Sequence, residues 1–138
     1  MSTNSMIGYT DKGGAISAVY CHWDGYLSHV GKILAKYYTD PKKVKKLISM
    51  GSISSLRKEI DPKTKEHTFN NPEKDTTIFY HRDGGEPLKI DRFMSDSEMI
   101  DKCPYPSIEF FYLFDMDKKI WEVWEVNGRN SKQWRPLK

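Results

Sequence analysis

The chain has 138 residues, a formal net charge of +3, and an apolar share of 38% with aromatic residues at 13%. That length suits one domain, 1–138, with one proper core in which large rings supply much of the buried area. No apolar run approaches the about 20 residues that span a bilayer, and the N-terminus carries no signal-peptide pattern. Cys21 and Cys103 show no metal-type spacing. The expectation is a cytoplasmic protein with reduced thiols, no membrane segment and no cofactor.

In chain order, the first β-type runs are Ser5 to Tyr9 and Ala15 to His22, flanking "TDKGG", and they read as a hairpin. In the second run Ile16, Ala18 and Tyr20 share one face and Val19 and Cys21 the other, so both faces are apolar. "WDGYLS" ends this pattern and a helix follows from about Ser28, with Val30, Ile33, Leu34 and Tyr37 on one stripe. A second helix starts at Asp40-Pro41, where Asp40 suits the N-cap and Pro41 the first helical position; Val44, Leu47 and Ile48 form its apolar face, and Gly51 suits a left-handed C-cap. The two helices form a helical hairpin. "SISSL" reads as a short turn, and residues 61–75, rich in Pro, Asn and charge, as a long surface loop.

"TTIFYH" and "LKIDRF", joined by "RDGGEP", read as a second hairpin. "SDSEMIDKC" is a short helix with Ser95 as cap and Glu98 three residues on. "SIEFFYLF" and "IWEVWEV" form a third hairpin, again apolar on both faces, and Trp134 in the tail tucks against the sheet or a neighbour. These elements predict an α+β fold: a mainly antiparallel sheet from three hairpins with the helical hairpin packed on it. Strands without a clean wet face need cover on both sides, from helices or from a second copy, so a homo-oligomer is expected.

Charge is unevenly placed. Residues 31–65 hold ten Lys or Arg against Asp40, Glu59 and Asp61, which makes that segment +7 and the remainder −4. The lysines Lys42, Lys43, Lys45 and Lys46 of the second helix form a basic lobe that suits phosphate, nucleic acid or an acidic protein surface, or are simply a solvated face.

The densest chemistry lies in "YCHWDGY", Tyr20 to Tyr26, at the end of a strand and the start of a helix. Trp23 and Tyr26 suit stacking on a planar ligand, while His22 and Asp24 suit reading its polar groups; the same residues also suit a packed turn. His22, Asp24 and His29 fall short of the converging donors a metal requires, and a His22–Asp24 acid–base pair lacks an accompanying nucleophile. "HRDGGE", His81 to Glu86, echoes a kinase catalytic loop without that family's other motifs; Arg82 is retained as a phosphate-neutralising candidate. The aromatic strands Phe110 to Phe114 and Trp121 to Trp124 carry Glu109, Glu122 and Glu125 where a nucleic-acid platform would carry basic residues, which favours core packing or a dimer interface.

Residues 18–56, "AVYCHWDGYLSHVGKILAKYYTDPKKVKKLISMGSISSL", resemble a family of small proteins encoded by tailed phages and prophages, patterned "IYCHWDGYP" followed by "LI-x-x-GDISSL". Leu27 stands where that family has proline, and Ser52 where it has aspartate. The resemblance implies a counter-defence context rather than a mechanism. The function expected is binding, foremost of a nucleotide-derived immune signal of the host through His22, Trp23, Asp24, Tyr26 and Arg82. The alternatives are inhibition of a host defence nuclease through the basic lobe, and a small hydrolase using His22 and Asp24.

Overall fold

The computed structural model describes residues 2–128 and 131–137. The protein is a mixed α+β fold built on one eight-stranded sheet: β1 (Asn4–Thr10), β2 (Ile16–Cys21), β3 (Ile53–Ser55), β4 (Ile78–Phe79), β5 (Asp91–Phe93), β6 (Ile108–Asp115), β7 (Ile120–Glu125) and β8 (Trp134–Pro136). The helices are α1 (Lys32–Tyr37), entered through a π-helical turn at Leu27–Gly31, α2 (Pro41–Ser49) and α3 (Asp96–Lys102). Among the described residues no helix is long and apolar enough to cross a membrane.

The sheet runs β4-β3-β2-β1-β6-β7-β8, and β5 joins β2 off this path. Five of the seven pairings are antiparallel; β1–β6 and β2–β3 are parallel. β1 pairs with β2, and β6 with β7, through tight reversals. The expected middle hairpin does not form. β4 pairs with β3, the segment read as a turn, and β5 pairs with the first half of β2. The cause is local: Asp83, Gly84 and Gly85 donate their N–H groups four residues back to Phe79, Tyr80 and His81, giving a helix-like coil instead of a two-residue reversal. The Asp83 carboxylate also takes the Phe79 N–H, closing the end of β4.

Because side chains alternate along a strand, the central strands feed two cores. On one face Ile7, Val19, Tyr112 and Val123 pack with Leu34 of α1 and Val44, Leu47 and Ile48 of α2. On the other, Met6, Ala18 and Phe111 pack with Met99 of α3 and Phe93. The chain covers both apolar faces itself, which removes the reason for invoking a second copy as cover. The cap residues act as their types dictate: Asp40 accepts the Lys42 N–H, Ser95 accepts the Glu98 N–H, and Gly51 follows α2 at φ +83°. Trp134 packs edge-on against Trp124 at 5.6 Å on the second face.

Candidate functional site

Strand β2 ends when the backbones of His22 and Trp23 donate to Ile53 and Ser54, then turns at Asp24, which adopts φ +54°. Aspartate tolerates this left-handed geometry better than most residues. Gly25 is required by space. A Cβ there would lie 2.8 Å from the Ser5 side chain and 2.9 Å from the Thr3 carbonyl, while the Gly25 carbonyl accepts the buried Tyr112 hydroxyl at 2.7 Å. The π-helical turn follows, with Val30 donating back to Asp24 and Gly31 to Tyr26. The turn is therefore fixed from the core side, and its rings project from a rigid base.

Among the chain's Trp, Tyr and Phe residues only Trp23 (44% exposed) and Tyr26 (39%) are exposed. The Tyr26 hydroxyl donates to Asp24 Oδ1 at 3.2 Å, and this bond raises its pKa above the ordinary tyrosine value. The His22 Nδ1 lies 2.7 Å from the Tyr20 hydroxyl, and the His22 carbonyl accepts the Asn4 amide at 2.7 Å. Burial, assisted by Tyr80, Cys21 and Tyr105, raises the Tyr20 pKa and keeps its hydroxyl a donor.

The His22–Asp24 pair of the hydrolase alternative is not assembled: His22 is held by Tyr20 and Asn4, and Asp24 by Tyr26. Cys21 lies in the core, where burial pushes its thiol up to about 12, so it is no nucleophile at neutral pH. Among the described residues no three His, Cys, Asp or Glu side chains converge as metal ligands. His29, in the π-helical turn, packs near Tyr26 with its Nε2 buried and unpartnered.

Arg82 is not brought to this turn. Its guanidinium donates to the carbonyls of Ile60 and Thr77 and to the Asp83 carboxylate, and stacks on Phe79 at 4.9 Å. It anchors the 61–75 loop. That loop is folded on itself: Glu73 accepts from Lys63 and Thr64, and His67 Nδ1 accepts the Glu73 N–H, which leaves Nε2–H to meet Asp83 at 3.2 Å. The four lysines of the basic lobe divide. Lys43 donates to the carbonyls of Tyr37 and Lys58 beneath the Tyr38 ring, and Lys46 pairs with Asp61, while Lys42 and Lys45 are exposed.

Sequence reasoning missed the residues that extend the turn across the sheet. Trp23 meets His22 edge-on at 4.7 Å, His22 lies 5.9 Å from Tyr20, and Tyr20 packs on Tyr105 at 4.9 Å. The Lys89 ammonium sits 4.8 Å over the Tyr105 ring, and the Tyr105 hydroxyl donates to Asp91. Four rings thus form a continuous row ending at a cation. Half of it was legible, since strand alternation places Tyr20 and His22 on one face; Tyr105 and Lys89 arrive by tertiary folding, with no local signal. Comparison with protein-family models, with curated proteins and with solved structures finds no match.

Proposed function

We propose that this protein is a phage-type counter-defence factor that acts by binding, sequestering a nucleotide-derived immune signal in the host cytoplasm. One observation carries the reading: Trp23 and Tyr26, alone among the aromatic residues, are exposed, and they stand on a turn clamped by Gly25 and Tyr112. Exposed rings on a rigid base lose little entropy on stacking against a planar base, which contributes about 1–3 kcal/mol per base. The His22 imidazole and the Asp24 carboxylate supply polar groups beside the rings, and Lys89 replaces Arg82 as the cation for phosphate. The phage-family resemblance of residues 18–56 supports the context.

Titration calorimetry with cyclic and ADP-ribose-type nucleotides tests it. Wild-type protein is expected to bind at least one of them, and Trp23→Ala to weaken that binding by about ten-fold or more with the fold intact. No heat from any such ligand with folded protein overturns the reading. The exposure of Lys42 and Lys45 favours a second reading, inhibition of a host nuclease through α2. Capture of a stoichiometric nuclease partner that is lost in Lys42→Glu/Lys45→Glu would support that alternative instead.

A further inference from the structure

The row of rings does not stop at Tyr105. The same side chain forms a wall of a groove of about 340 Å³ on the second face of the sheet, lined also by Ile100, Pro106, Phe111, Trp124 and Lys132. This lies at the small end of the roughly 300–1,000 Å³ typical of ligand clefts, and its walls are mostly aromatic and apolar. Tyr105 therefore touches Tyr20 in the half-buried part of the row and also lines the groove. A lysine stands at each stage: Lys89 over the Tyr105 ring, and Lys132 on the groove.

Resting on the nucleotide-binding reading above, we infer that the groove is a second base-binding subsite, and that the ligand class is a dinucleotide. One base stacks on the exposed rings of the first site, Trp23 and Tyr26. The second enters between Tyr105 and Trp124, and the phosphates linking them pass Lys89. Three features commit the groove to this occupant. It is continuous with the first site through a shared ring, and its lining offers flat faces. The cations along the path are two isolated lysines, Lys89 over Tyr105 and Lys132 on the groove, suited to one or two phosphates, where a long single strand would call for a basic channel that tracks the backbone.

The test compares adenosine monophosphate with the dinucleotide pApA, in linear and cyclic forms, by calorimetry on the full chain. Wild type is expected to bind one of the dinucleotides ten-fold or more tighter than the mononucleotide, the gain that one further stacked base brings. Filling the groove with Ile100→Trp is expected to reduce dinucleotide affinity to the mononucleotide level while leaving mononucleotide affinity unchanged. Val126→Phe, at another lining residue, is expected to do the same if Ile100→Trp fails to fold. Trp23→Ala weakens both ligands. Mononucleotide binding with no gain from a second base, or a gain that survives both groove-filling variants in folded protein, overturns the second subsite and spares the first. Absence of binding by every ligand, ADP-ribose-type nucleotides included, overturns both.

Discussion

Asp24 holds two roles that one substitution separates. Its left-handed backbone is costly for most residues and free for glycine, while its carboxylate accepts the Tyr26 hydroxyl. Asp24→Gly is expected to leave the melting temperature unchanged or slightly raised, and to remove the acceptor beside the rings. Loss of ligand with retained stability would assign the carboxylate to recognition, whereas retained affinity would restrict it to the turn. Tyr112 gives the opposite pattern. Tyr112→Phe leaves the Gly25 carbonyl without its buried donor, at a cost of about 1–3 kcal/mol in denaturant melts, although no ligand atom approaches residue 112 in the proposed mode. From sequence, "YCHWDGY" is recognisable as a strand-to-helix turn because glycine, aspartate and broken alternation are local signals. The contacts that fix it, from Thr3, Ser5 and Tyr112, are distant in the chain and leave no such signal. Arg82 is the converse case: its sequence suggests an available cation, and its carbonyl partners at Ile60 and Thr77 are visible only in the fold.

At the level of elements, the 61–75 loop and the coil after β4 act as one unit through Asp83. Burial alone would raise the Asp83 pKa; hydrogen bonds from Arg82, from the Phe79 N–H and from His67 outweigh it and hold the carboxyl below its ordinary value. A group depressed in the folded state stabilises fully above its unfolded pKa, about 3.9, and that contribution is lost as pH falls through the lower folded value. Wild type should therefore lose this part of its stability only below about pH 4. Asp83→Ala strands Arg82 and the His67 Nε2–H, is expected to cost about 3 kcal/mol near neutrality, and should flatten the acid limb of a stability-versus-pH curve. An unchanged acid limb would deny Asp83 that role. The same coil explains why the middle hairpin predicted from "RDGGEP" is replaced. The Gly-Gly pair fits a hairpin turn as well as it fits a coil, and the choice is made by Asp83 capping Phe79 and by Phe69 closing on Tyr80 at 5.6 Å. In α2, by contrast, propensity and capping agree with the fold at every position, so the helix reads directly from sequence.

For the whole molecule, the decisive feature is a sheet with apolar side chains on both faces and cover from its own chain on both. Two-sided apolarity is plain in the sequence of β2, β6 and β7. What supplies the cover is not, because α3 and the segment through Tyr105 lie on the second face through tertiary packing, in a chain whose β5 pairs with the distant β2. The two cores share their strands: Ile7 and Met6, Val19 and Ala18, Tyr112 and Phe111 are neighbours in sequence that point to opposite faces. A strand cannot leave one core while remaining in the other, so the cores should unfold together. Met6→Ala, deep in the second core, is expected to cost about 2–5 kcal/mol and to lower a single transition. Urea unfolding followed by tryptophan fluorescence and by far-ultraviolet circular dichroism checks this, since Trp121 reports the first core and Trp124 and Trp134 the second. Coincident transitions in wild type and Met6→Ala are the expected result. A fluorescence change that precedes loss of sheet signal in the variant would mean that the second face, with its aromatic groove, opens on its own, and the ring row would then be a separable layer rather than part of one cooperative sheet.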